Sequence, residues 1–155
     1  MFAAPDSGLL PYLALRTVHD YWQGLPRQSG VAQILKVDPM LLAPALGSII
    51  LLDVVDGGRD FYYSLYGSKI ANFSGFDMTH KYLSEIPTDS PVTAFFRVCY
   101  LAVMKHRIPL YTVHRAPRNI MIGSWHRLIL PLGAGDEVCR LLVCNIPTRP
   151  DGNEK

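Results

Sequence analysis

Hydrophobic positions change period along the chain, and each change marks an element. From Leu9 to Trp22 apolar side chains recur at helical spacing, with Tyr12, Leu15, His19 and Trp22 on one face and Leu9, Leu13 and Val18 widening it. The spacing predicts an amphipathic helix capped by Asp6 or Ser7, with Pro11 in its first turn. Gln23 to Ser48 has no period and is punctuated by Gly24, Pro26, Gly30, Pro39, Pro44 and Gly47. Within it Asp38-Pro39 is an N-cap followed by a proline at the first helical position, predicting a short helix through Leu41 and Leu42 that ends by Pro44.

Ile49 to Val55 is a dense apolar run, and Phe61 to Tyr66 is aromatic. Asp56-Gly57-Gly58 between them supplies the positive φ angles of a tight hairpin. Gly67-Ser68 ends the second strand, Lys69 to Phe73 reads as one helical turn, and Asp77 to Leu83 as another. Ser90-Pro91 opens a long helix in which Val92, Phe95, Phe96, Cys99, Ala102 and Val103 recur at helical spacing. Lys105, His106 and Arg107 suit its negative end, and Pro109 stops it. Three strand-like runs follow, Leu110 to Ala116, Trp125 to Leu132 and Val138 to Ile146, separated by Pro117-Arg118-Asn119 and by Gly133-Ala134-Gly135-Asp136.

Two hairpin-connected blocks around a helical insert predict an α+β fold with one five-stranded antiparallel sheet, helices on one face and an additional N-terminal helix. The expected division is an N-terminal helix or cap over 1–22, a domain over 23–147, and a polar, disordered tail over 148–155.

Composition narrows the classes. The chain has 155 residues, 49% hydrophobic and 18% charged, which suits one domain with a sizeable core. A net charge of +2 gives no bulk attraction for nucleic acid or an anionic membrane. Met1 to Gly8 has no leader pattern, and the longest apolar stretch, Ile49 to Val55, is interrupted by Asp53. That stretch is far below the roughly 20 residues of a spanning helix. Cys99, Cys139 and Cys144 form no CxxC pair and read as free thiols in a reducing compartment. A soluble, cytoplasmic protein is the expectation.

Two strands, a helical insert and three strands is the order of a PAS domain. The chain also resembles, from about Leu15 to Ile146, a PAS-like family common in alphaproteobacteria. The likeness runs through Asp20-Tyr21-Trp22, Val37-Asp38-Pro39, Leu51-Leu52-Asp53-Val54, and the strand Phe61 to Tyr66 with Gly67-Ser68. It continues in Asp77-Met78-Thr79-His80 and in Leu128-Ile129-Leu130-Pro131-Leu132. Ser68 stands where the family carries Thr, and His80 where it carries Gly in a turn that permits positive φ. The resemblance implies a bacterial sensory or protein-interaction module in signal transduction, and no particular ligand.

In PAS domains ligands sit between sheet and helices. On the second strand Phe61, Tyr63 and Leu65 form the more apolar face and are expected to point inward. Phe95, Phe96, Cys99 and Val103 of the long helix would oppose them, with Phe73 nearby. Tyr111, Val113, His126, Leu128, Leu130, Leu142 and Cys144 would complete the wall. The same stripes are equally what a filled core requires.

His114 and His126 fall on adjacent strands, but a zinc site needs three or four converging ligands, which the sequence does not supply. His106 sits beside Lys105 and Arg107 and suits a solvated helix end better than a haem axial position. Cys99, in Arg97-Val98-Cys99-Tyr100, lacks the polar helix motif of flavin photosensors. No nucleophile elbow, P-loop or zinc-protease motif occurs. The favoured expectation is a stand-alone sensory domain, not an enzyme. It would bind a small apolar or amphipathic molecule without a resident cofactor, pair as a homodimer through the N-terminal helix, and signal to another protein. The alternatives are a small enzyme using Tyr63, Tyr111 or His126 in the same pocket, and a ligand-free adaptor.

Overall fold

The computed structural model describes residues 7–33, 38, 40–87, 90–116 and 121–155. A 3-10 turn at Ser7–Leu9 precedes α1 (Leu13–Gln23), and β1 (Arg27–Gln28) pairs with β2 (Val31–Ala32). A second 3-10 segment, Ala43–Ser48, leads into β3 (Ile49–Val55), which turns through Asp56–Gly58 into β4 (Asp60–Tyr66). Then come α2 (Ser68–Ser74), a 3-10 turn at Leu83–Glu85, and α3 (Ser90–His106). The chain closes with β5 (Leu110–Arg115), β6 (Ser124–Ala134) and β7 (Glu137–Thr148).

β3 to β7 form one antiparallel sheet in the order β4-β3-β7-β6-β5, the α+β arrangement expected of a PAS-like chain. β7 lies at its centre between β3 and β6, and these inner strands are covered on both faces, so Ile49 to Leu52 and Leu141 to Thr148 are buried without alternation. α2 and α3 cover one face; α1 covers the other. Leu10, Ala14, Leu15, Val18 and Trp22 pack there on Leu128, Leu130, Leu142 and Cys144. Opposite, Phe96, Cys99, Tyr100 and Val103 pack on Ile50, Leu52, Phe61, Tyr63, Ile129, Leu141 and Val143.

Several local expectations change. α1 starts only after Pro11, with Tyr12 extended at its N-cap and bearing no side-chain cap bond. The restriction that proline places on the preceding residue keeps Leu10 out of the helix. Leu9 and Leu13 lie in solvent, while Ala14 joins the buried face. Asp38 accepts a hydrogen bond from the Met40 N–H at 2.9 Å, but Pro39 lies outside the described residues. Pro44 falls inside the 3-10 segment instead of ending a helix. The expected Asp6 cap and the Pro117-Arg118-Asn119 turn also lie outside the described residues.

Asp77 to Leu83 forms one hydrogen-bonded turn, the Lys81 N–H donating to the Met78 carbonyl at 2.9 Å, but no helical run. Asp77 accepts bonds from the Thr79 N–H and hydroxyl, and the next residues bond along β4, His80 N–H to the Tyr63 carbonyl and Tyr63 N–H to the Lys81 carbonyl. His80 adopts the left-handed conformation, φ +63°, which a glycine would take freely. Its Nδ1 meets the Tyr62 hydroxyl at 3.0 Å.

Residues 148–155, expected as a disordered tail, fold back instead. The Tyr12 hydroxyl donates to the Gly152 carbonyl at 2.9 Å, and Lys69 pairs with Glu154 at 3.4 Å. The first and last segments thus touch, and α1 belongs to the same body as the sheet.

Candidate functional site

A cavity of about 210 Å3 lies between the sheet and the helical face, near the start of α3. Its walls include Ile70, Phe73, Phe76, Ile86, Val92 and Phe96, and the sheet contributes Ile50, Tyr63, Tyr66, His114, Trp125, Arg127 and Asn145.

A bulge sets which side chains of β4 reach it. Leu51 pairs with Leu65 but Leu52 pairs with Tyr63, so Ser64 is the extra residue. Phe61 and Tyr63 face α3 before the bulge, and Tyr66 does so after it. Leu65 is thereby rotated outward and is 41% exposed.

On β5, β6 and β7 the expected inward residues occupy the opposite face. Tyr111, Leu128, Leu130, Leu142 and Cys144 lie in the core beneath α1. The His126 ring stands 4.9 Å edge-on from Tyr12, and its Nδ1 is hydrogen-bonded to the Tyr111 hydroxyl. Val113, on the Tyr111 side of β5, is exposed. Tyr63, Phe73 and Phe96 line the cavity; Cys99 and Val103 are buried along α3, and Phe95 packs beside Phe96 and His114. Of the three polar groups considered for catalysis, only Tyr63 reaches the cavity.

Arg127 is the residue that apolar patterning passed over. It stands alone in the run Trp125 to Pro131, and such a charge in a central strand is itself a signal. Its side of β6 faces the cavity, where it is 4% exposed. The guanidinium carbon lies 3.8 Å from the Phe96 ring centroid and 6.0 Å from that of Tyr100. Nε and Nη1 have no hydrogen-bond partner, and no carboxylate pairs with Arg127 among the described residues. Leaving a buried ion uncompensated costs of order several kcal/mol, a cost that cation–π contact offsets only in part. The Asn145 Oδ1 and His114 Nδ1 atoms on the same face are likewise buried without partners.

The surrounding titratable groups are neutral near pH 7. Burial raises the Tyr63 hydroxyl well above its usual range, reinforced by Tyr100 and opposed by the charge of Arg127. Burial takes Tyr66 to about 12, against the Ser74 hydrogen bond and Arg127. Cys99 is raised, again chiefly by burial. Burial, then the nearby Arg127 and His126, lower His114 to about 3. Burial alone lowers His126. The cavity therefore holds one buried cation, with the exposed Arg115 at its lining.

The two histidines give the fold an acid sensitivity. Between the folded pKa of about 3 for His114 and the unfolded 6.5, the unfolded chain binds more protons. For His114 stability is fully present above about pH 6.5 and falls as pH drops through that window, by up to about 1.4 kcal/mol per pH unit; His126, lowered by burial, acts in the same direction. Urea unfolding at a series of pH values should show this slope, and His114→Leu should flatten it. An unchanged slope in the variant would show that His114 is hydrated in the folded protein.

No family model matches the chain, and no curated protein matches it. Among solved structures it is similar to the PAS domain of histidine kinase ThkA, at 13% sequence identity and a TM-score of 0.46, over 64% of this chain and 96% of that one. The PAS-like description rests on the strand order itself. Two strands, a helical insert and three strands close into one antiparallel sheet. Among the described residues no helix is long and apolar enough to cross a membrane, and no three His, Cys, Asp or Glu side chains converge as a metal site.

Proposed function

We propose that the protein is a PAS-like sensory domain that takes a small amphipathic organic molecule between its sheet and α3 and passes the occupancy on through protein contacts. The observation that carries this reading is the cavity itself, with largely apolar walls and a buried guanidinium whose Nε and Nη1 have no hydrogen-bond partner. A chain selected only as an adaptor would gain stability by filling that space and removing the charge. The free thiols of Cys99, Cys139 and Cys144 suit a reducing, cytoplasmic setting.

β6 and β7 carry cavity residues on one face and the seat of α1 on the other, so a ligand-biased shift in these strands would reach α1. Leu9 and Leu13, 73% and 60% exposed, mark the outer edge of that region, where a second copy or a signalling partner would pair. Native mass spectrometry of the purified protein tests the reading. A small organic mass that denaturation releases, with no Soret band, is expected. A bare mass, together with no perturbation of the Ile50, Ile70 or Val92 methyl resonances by a library of apolar and charged fragments, would favour the ligand-free adaptor.

A further inference from the structure

The geometry points to a monocarboxylic acid with a compact apolar body as the ligand class, its carboxylate on Arg127 and its body against Phe96 and the helical wall. The inference rests on the ligand reading above and adds the chemistry that would select the occupant. A cation is disfavoured by the buried guanidinium. A neutral apolar molecule would fill the walls but leave Nε and Nη1 of Arg127 unpaired in a water-poor site. A carboxylate satisfies that planar donor set with charge-assisted bonds. Asn145, also buried on this face, can turn its amide N–H toward the same group, and His114 is available in its neutral form.

The charge count favours a monoanion. One buried cation faces the cavity, Arg115 adds a second at an exposed position, and Tyr63 and Tyr66 keep their protons. A phosphate dianion would have only one of its charges met by a buried guanidinium, the other falling to the exposed, solvent-screened Arg115, a poor replacement for its hydration. Volume limits the body. A cavity of roughly 150 Å3 holds a benzene molecule, so 210 Å3 suits an acid with one ring or a short chain.

Calorimetric titration of the full chain with phenylacetate, hexanoate and their primary amides separates the possibilities. Both acids are expected to bind roughly ten- to a hundred-fold more tightly than the amides, the range of a charge-assisted pair. Arg127→Met should remove that preference, bringing acid affinity down to that of the amides, and the fold should tolerate it because an unpaired buried charge is replaced by an apolar side chain. Arg127→Lys should retain part of it. If the methionine variant fails to fold, the acid-to-amide ratio of the unaltered protein still decides. Equal binding of acids and amides, or acid binding unchanged by Arg127→Met, would overturn the carboxylate inference and leave the ligand reading intact. Binding of neither class would also overturn the carboxylate inference, and the native mass and fragment response would then decide the ligand reading.

Discussion

Removing residues 1–23 should unfold the remaining chain. A helix that served only to join two copies would be dispensable, and its loss would yield a folded monomer. α1 is not in that position, because its apolar side is spent within its own molecule. Leu15 and Val18 are 0% exposed, Leu10 2% and Trp22 8%. The Trp22 indole N–H also donates to the Pro131 carbonyl at 2.7 Å in a buried setting. At about 1.5–3 kcal/mol for each fully buried large apolar side chain, these four represent roughly 6–12 kcal/mol as an upper estimate. That is as large as the net stability of an ordinary domain, about 5–15 kcal/mol. The deletion would also expose Leu128, Leu130, Leu142 and Ile146 as one apolar patch on the sheet. Loss of near-ultraviolet circular dichroism and elution as aggregate are the expected signs. A soluble, cooperatively melting fragment would show that the sheet stands without its second layer. Leu13→Lys is the contrasting change, since it alters the exposed edge of α1 where pairing would occur and leaves the buried face intact.

Gly67→Ala is the second large effect, with a loss of about 3 kcal/mol or more at the upper end of overpacking costs. The requirement is space, since the residue has an ordinary φ of −58°. A Cβ at this position would lie 2.3 Å from the Gly47 carbonyl oxygen, 2.7 Å from its carbon and 3.0 Å from the Ile49 oxygen. All three are backbone atoms, so no rotamer change relieves the clash. The Gly67 N–H donates to Ile49 at 2.8 Å, and its carbonyl accepts the Ala71 N–H of α2 at 3.0 Å. The displacement would therefore disturb both the end of β4 and the start of α2. The urea midpoint of the purified variant measures the loss. A change below about 1 kcal/mol would show that the Gly47 segment yields.

The hairpin was legible because its chemistry is local. Asp56, Gly57 and Gly58 all adopt positive φ, and the flanking runs become β3 and β4 with nearly the expected limits. α3 was legible for a similar reason, with a proline after its first residue, helical apolar spacing and basic residues at its end. The Asp77 to Leu83 segment misled because, beyond the Met78 to Lys81 turn, its backbone bonds run to β4, a partner that its own sequence does not name. Leu65 misled because the bulge at Ser64 shifts the parity of the strand beyond it.

The cavity wall shows the limit most directly. Tyr111, Leu128, Leu130, Leu142 and Cys144 are as apolar as any inward residue should be, and they are inward, but beneath α1. The face that holds the cavity carries Arg127, Asn145 and His114, which a rule of apolar residues inward assigns to solvent. The sequence by itself determined the order of the elements, the α+β class and the main hairpin, because these follow from spacing and turn chemistry within short stretches. Tertiary structure decided which of two covered faces holds the site. Alternation separates the faces of a strand only when one of them meets water. Here helices cover both faces, and the charge of Arg127 acquires its meaning from the ring that stacks on it and the space left beside it.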